Sequence, residues 1–394
     1  MNIILFDDTK TWQNLLPLTF TRPVSEIRIG ILTIREKWEK QLKAKVSYLT
    51  EDYLSQKFPV VLDSKKDNYY ISSNCIPDAK LVLKIKKLKP GTGIKSGNKL
   101  IAYNAGQKAF DNKLFLESAE IYSASVFTID FPWDIFKKNA EALELDFDLI
   151  TKGRKSQALS KSNTVIGKRS RIFLEKGAKA EASIFNTNSG PIYLGKNSEV
   201  MEGSVVRGGF ALCEESALKL SAKVYGPSTI GPQSKVGGEL NNSVIFGFTN
   251  KAHDGFLGNS VIGEWCNLGA DTNNSNLKNN YGNVKLFNYA TNKNEDTGLQ
   301  FCGLIMGDHS KSGINTMFNT GTVVGVGANI FGGGFPPTHI PSFSWGGSEG
   351  FETYKLDKMF ETAQLVYERR HLELSKDDKK ILERIFNDTA KLRG

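Results

Sequence analysis

The sequence predicts an α/β domain over residues 1–150, a parallel β-helix built of six-residue repeats over 164–345, and helices over 352–394. Three observations carry this reading. Short strand-like apolar runs alternate with a helical pattern in the first 150 residues. From Leu194 an aliphatic residue recurs at every sixth position. Beyond residue 352 apolar residues return at helical spacing.

In chain order, Ile3–Phe6 reads as a buried strand, Ile31–Gln41 as a helix and Val46–Leu49 as a second strand. Tyr69–Ile71 and Ala79–Ile85 read as further strands. The basic stretch Lys80–Lys89 alternates apolar and charged residues, which fits a strand with one solvated face better than a nucleic-acid patch. Phe131–Asp148 is an amphipathic connecting helix, and residues 151–162 form a polar junction.

The repeat runs through Leu194, Val200, Val206, Leu212, Leu218, Val224, Ile230 and Val236, with small residues such as Ser198, Ser204, Ser216 and Ser228 two positions earlier. The same register is read at Ile166, Ile172, Ala178 and Ile184, and later at Phe256, Ile262, Leu268, Met306, Val324 and Ile330. Six residues make one short strand and one tight turn. Three such units close a triangular coil with the aliphatics stacked inside. After the coil, Leu356–Arg370 and Lys376–Arg393 carry apolar residues at helical intervals, as expected of a helix pair covering the last turn or packing between subunits.

Composition narrows the function classes. The chain has 394 residues, 40% of them hydrophobic and 24% charged, which excludes wholesale disorder. No run of about 18 apolar residues is present, so no membrane span is expected. Four cysteines without CxxC spacing argue against a disulfide framework or zinc finger and for a cytoplasmic setting. Asp7-Asp8 ends the first apolar run too early for a signal peptide. Lys and Arg number 51 against 42 Asp and Glu, a net charge of +9 compatible with nucleic acid, an anionic membrane surface or phosphorylated small substrates; no aromatic-interleaved motif points to nucleic acid.

The segment Lys251-Ala252-His253-Asp254-Gly255-Phe256-Leu257-Gly258 interrupts the hexads with polar residues. It is followed by Asn267-Leu268-Gly269-Ala270-Asp271-Thr272 and by Asn273-Asn274-Ser275-Asn276. In order and interval this resembles the bifunctional N-acetylglucosamine-1-phosphate uridylyltransferase/glucosamine-1-phosphate acetyltransferase (GlmU-like) family, in a divergent Bacteroidetes-type branch. The resemblance implies a left-handed coil, a homotrimer with active sites between neighbouring coils, and acetyl-coenzyme A as co-substrate. It makes His253 the general base and has Asn276, Asn267 and Phe256 meet the amino-sugar phosphate, with the backbone at Gly269 and Ala270 along the thioester. A base is chemically needed, because an ammonium must lose its proton before attacking a thioester, and histidine is the side chain that titrates near neutrality. The family tyrosine is Phe256 here. Its phosphate-holding cations have no direct counterpart, leaving Arg207, Lys223, Lys251 and Lys285 as candidate substitutes.

Leu15-Leu16-Pro17-Leu18-Thr19-Phe20-Thr21-Arg22-Pro23 resembles the segment that follows the first strand in sugar-1-phosphate nucleotidyltransferases. The glycine-rich signature before it is missing. By that resemblance Lys10, Arg22 and Arg28 are candidates for the phosphates of UTP, and Asp7 and Asp8 for Mg²⁺. Three outcomes are open: a bifunctional enzyme making UDP-N-acetylglucosamine, an acetyltransferase with a degenerate nucleotide domain, and a non-enzymatic sugar-nucleotide-binding scaffold. His309 is a second, weaker candidate base.

Overall fold

The computed structural model describes residues 1–393. The chain divides into two compact units, one comprising Met1–Leu15, Thr21–Ile27 and Leu32–Phe131, the other Leu16–Phe20, Arg28–Ile31 and Pro132 onward.

The first unit is built on a six-stranded mixed sheet of β1 (Asn2–Phe6), β2 (Val46–Leu49), β3 (Asn68–Ser72), β4 (Thr92–Ser96), β5 (Lys99–Asn104) and β6 (Glu120–Ile121), in the order β2-β1-β3-β5-β4-β6. β1 pairs in parallel with β2 and β3, whereas β3-β5 and β5-β4 are antiparallel. Ile4, Phe6, Tyr70 and Phe115 are buried on one core. The helices of this unit are α1 (Thr9–Asn14), α2 (Ile34–Leu42), α3 (Ala79–Lys86) and α4 (Asn112–Ser118). α2 starts at a capping box, with Thr33 and Glu36 each satisfying the other's backbone N–H.

α3 corrects the strand expected at Ala79–Ile85. Leu81, Val82 and Ile85 are the buried positions, while Leu83 is 59% exposed, so the burial follows a helical stripe and not a two-residue alternation. Asp78 starts the helix by accepting a hydrogen bond from the Leu81 N–H at 2.8 Å, and Lys84 and Lys86 sit in its last turn, where cations are favoured.

The second unit is a parallel β-helix with three faces. Face A has six strands, from Thr164–Ile166 to Phe256–Gly258. Face B has nine, from Ile172–Leu174 to His339–Ile340. Face C has ten, from Lys179–Ala180 to an antiparallel hairpin of Ser344–Gly347 and Gly350–Thr353 that ends the coil. All eight residues of the hexad from Leu194 to Val236 are at most 2% exposed and belong to one hydrophobic cluster. The serines two positions earlier serve the corners. Ser198, Ser204 and Ser216 donate to the carbonyls of Gly195, Met201 and Gly231 at 2.7–2.8 Å, so these buried hydroxyls are satisfied. Successive turns lie so close that a Cβ on Gly231 would stand 1.8 Å from the Phe246 carbonyl oxygen.

The earlier register is corrected. The residues stacked under Leu194, Val200 and Val206 are Leu174, Ala180 and Phe185, and Val165 lies beneath Phe185. Ile166 and Ile184 point outward, 45% and 38% exposed. Ile172 and Ala178 are buried, but two positions out of phase. The first turns are longer than three hexads, so a strict six-residue count slips. At the far end Phe256 is likewise displaced by one, Leu257 being the inward residue beside Leu240.

The connecting helix expected at Phe131–Asp148 is two helices, α5 (Pro132–Lys137) and α6 (Asn139–Thr151). Asn139 and Asp146 accept hydrogen bonds from the backbone N–H groups of Gly30 and Ile31, both at 2.7 Å. The terminal helices are α7 (Leu356–Glu368) and α8 (Lys376–Asp388).

Candidate active site

His253 stands on a corner of the coil, between the face C strand Asn250–Lys251 and the face A strand Phe256–Gly258. Its side chain is exposed and makes no hydrogen bond among the described residues. A cleft of about 610 Å³ opens on one side of it, lined by His253, Asn267, Gly269 and Ala270 together with Trp265, Phe248 and Ile314. Four of the residues singled out in the sequence therefore share one cavity. On the other side of the corner a cleft of about 390 Å³ is lined by Lys219, Leu220, Asp254 and Asp271, with Ala252, His253 and Ala270 common to both.

The larger cleft has a cationic wall of Lys235, Lys311, Arg369 and Arg370. Arg369 and Arg370 come from the end of α7, which is docked by aromatic stacking. The Trp265 ring lies 3.9 Å from Tyr367 at 19° and 4.2 Å from Phe248 at 12°. Arg370 donates from Nη2 to Asn250 Oδ1 at 3.3 Å. The Lys311 ammonium donates to the His309 carbonyl at 3.0 Å, and burial pushes its pKa down. The combination brings apolar side chains, a cluster of positive charge and one imidazole to one cleft. It suits a ligand with anionic groups and a reacting centre near His253.

Phe256 and Asn276 lie together elsewhere. A Cβ on Gly258 would meet the Phe256 ring at 2.4 Å and Asn276 Nδ2 at 2.8 Å, so both side chains cross over this glycine. Asn276 donates from Nδ2 to Asn259 Oδ1 at 2.8 Å. Neither residue lines either cleft beside His253. Lys285 is exposed on a hairpin of Lys285–Asn288 with Lys293–Asp296 that leaves the coil between two turns. Arg207 and Lys223 are exposed on face A, where Lys223 is 3.5 Å from Glu239.

Lys251 is not a surface cation. It is 1% exposed, facing into the coil, and its Nζ donates to the carbonyls of His253 (2.9 Å), Gly237 (3.0 Å) and Asp254 (3.3 Å). Burial lowers its pKa to about 8, against the opposing pull of Asp254 and Asp271. His309 is 6% exposed and lies parallel to the rings of Trp265 and Tyr367 at 6.0–6.4 Å.

The nucleotide-domain candidates are dispersed. Asp8 is the N-cap of α1, accepting from the Thr11 N–H and hydroxyl, both at 3.0 Å. Asp7 accepts from Thr50 Oγ1 at 2.6 Å, from the Val24 N–H at 3.2 Å and from the Ser73 hydroxyl. Burial raises its pKa to about 6 despite these donors. The two carboxylates thus serve local donors, and no cluster of three or more His, Cys, Asp or Glu able to hold a metal occurs among the described residues. A Mg²⁺ held by Asp7 and Asp8 would have to compete with these donors for the carboxylate oxygens. Arg28 is buried in the second unit, donating from Nε to the Phe246 carbonyl at 3.1 Å and from Nη1 to that of Ile31. Arg22 is buried at 4% exposure, and Lys10 is exposed on α1.

Arg369 and Arg370 had no motif to announce them. The one signal was the placement of two adjacent arginines at the end of an amphipathic helix.

Residues 3–155 match the family model described as sugar nucleotidyl transferase, so the first part of the chain is nucleotidyltransferase-like. Two archaeal relatives, each named bifunctional protein GlmU, are similar over shorter stretches. The protein of Methanocaldococcus jannaschii is 37% identical over 87 residues, 22% of this chain and 21% of that one. The protein of Methanococcus maripaludis is 34% identical over 95 residues, 23% and 22% of the two chains. The matches span about a fifth of the length of these curated relatives. Among solved structures, an Arabidopsis UDP-N-acetylglucosamine acyltransferase aligns over 59% of this chain and 91% of its own, at 15% identity and a TM-score of 0.29. That overlap is too loose to bear on function.

Proposed function

We propose that the chain is a transferase of sugar-nucleotide biosynthesis, whose coil uses acetyl-coenzyme A to N-acetylate an amino-sugar 1-phosphate, glucosamine 1-phosphate being the expected substrate. One observation carries this reading: His253, Asn267, Gly269 and Ala270 share a cleft with a cationic and aromatic wall. In it the phosphorylated adenosine end of the co-substrate meets Arg369 and Arg370, and the thioester lies along the backbone at Gly269–Ala270. His253 takes a proton from the sugar ammonium. The freed amine attacks the thioester carbonyl, and the tetrahedral intermediate collapses as the coenzyme A thiolate departs and takes up the second nitrogen proton, leaving the neutral amide while the first proton stays on His253. Phe256 and Asn276 meet the sugar from a neighbouring coil or from the adjoining face, which makes a homotrimer the working assembly. Outward residues of face A support this: Ile166, Ile184, Val205 and Tyr225 are 37–45% exposed on a flat sheet.

A second reading adds uridylyl transfer from UTP at the first unit. The family-model match over residues 3–155 favours it, while the local engagement of Asp7 and Asp8 weighs against it. Supplying acetyl-coenzyme A, UTP with Mg²⁺, and candidate sugar phosphates separately and analysing the products tests both. An acetylated sugar phosphate without uridylylated product leaves the first reading standing alone. Absence of any acetylated sugar defeats it and leaves the scaffold alternative.

A further inference from the structure

The inward column of face C carries a charge where its neighbours are apolar. Val236 stacks on Lys251, and the pairing of Asn250 with Asn267 sets Leu268 on its other side. An ammonium among aliphatic side chains costs free energy that a methionine of similar length would not. Its three N–H groups all go to backbone carbonyls, and two of these belong to His253 and Asp254, the corner residues themselves. The third, Gly237, belongs to the turn below. From the turn above, the Asp271 N–H donates to the Asp254 carbonyl at 3.1 Å. Gly255 completes the corner at φ +112°, where a Cβ would stand 2.2 Å from the Thr272 carbonyl oxygen. The corner is therefore gripped from both sides, and its one functional side chain has no hydrogen bond of its own among the described residues.

We infer that Lys251 is a positioning residue: from inside the coil it holds the backbone of the His253 corner, and thereby aims the imidazole between the two clefts. This rests on the reading of His253 as the base. Lys251 touches no substrate, being enclosed. It couples the reactive side chain to the stack beneath it, and a misplacement of the base by about 1 Å is enough to cost about a hundredfold in rate.

The test compares wild type with Lys251→Met, which keeps chain length and removes the donors. Steady-state kinetics are measured alongside ¹⁵N-imidazole NMR of the four histidines, assigned by single His→Gln replacements. The expected result is a folded protein of unchanged assembly with kcat lowered about 10–100-fold, the acetyl-coenzyme A KM little altered, and a displaced His253 resonance. The resonances of His309, His339 and His371 stay in place. An unchanged kcat with an unmoved His253 resonance overturns the proposal. Should Lys251→Met not fold, Lys251→Gln, which keeps one donor group, is measured in the same way; loss of fold in both makes Lys251 a stability residue and overturns the proposal as well. If the wild type transfers no acetyl group, the functional reading fails on its own account, and the His253 resonance alone decides whether Lys251 holds the corner.

Discussion

His253 and Asp7 show how differently two candidate residues are embedded. The imidazole stands free at the mouth of a cleft, so its removal touches chemistry and little else. His253→Ala should lower kcat for acetyl transfer by about 10²–10⁴-fold while leaving the acetyl-coenzyme A KM nearly unchanged; a variant of near wild-type rate would place the base elsewhere. Asp7 is held by Thr50, Ser73 and the Val24 N–H, and its pKa is raised from 3.8 to about 6 by burial. A carboxyl whose folded-state pKa lies above the unfolded one contributes stability that is present below the lower value and is lost as the pH rises through the upper. Relative to Asp7→Asn, the wild type should therefore lose stability, on the order of 2 kcal/mol, between about pH 4 and pH 7. Urea unfolding at the two pH values checks this, and a pH-independent difference between the proteins would refute it.

Among the elements, the inward ladder and the outward face of the coil should respond very unequally to truncation to alanine. Leu212 is fully buried between Leu194 and Ile230, and Leu212→Ala should cost about 2–5 kcal/mol. Ile184→Ala, on the outward side of face A, should change the stability of the isolated subunit by less than about 1 kcal/mol. Chemical denaturation of the two variants compares them directly. The same ladder was legible from Leu194 to Val236 because each turn there is three hexads long. It slipped at Ile166 and Ile184, where extra residues between strands shift the phase without altering the local pattern. α3 was misread for a related reason: Leu81, Leu83 and Ile85 satisfy a two-residue alternation, and only the burial of Val82 in place of Leu83 identifies the helix.

For the whole molecule, closed threefold association is the expected state in solution. Light scattering at micromolar concentration should give three times the subunit mass, and a monomer would remove the basis for a site shared between coils. A charge feature also becomes visible at this scale. Residues 152–179 contain nine Lys and Arg against Glu175 alone, a local excess larger than the five lysines of Lys80–Lys89, the stretch that stands out by its spacing. Among the cations of residues 152–179 only Arg154 and Arg171 form ion pairs among the described residues, with Glu175 and Glu144.

The sequence by itself determined the coil and the corner. Burial in a β-helix is repeated locally every few residues, so eight aliphatics in register are sufficient evidence, and the polar interruption around His253 is contiguous in the chain. The tertiary structure decided what depends on distance and direction. It brought Arg369 and Arg370, more than a hundred residues beyond His253, to the wall of its cleft through the stacking of Tyr367 on Trp265. It turned Lys251 inward, where it serves carbonyls instead of a phosphate, and assigned Arg28 to the coil unit instead of a nucleotide site. A cation written in one dimension carries no indication of which way it points. That is settled by the carbonyls and rings within about 3–4 Å of it once the turns have stacked.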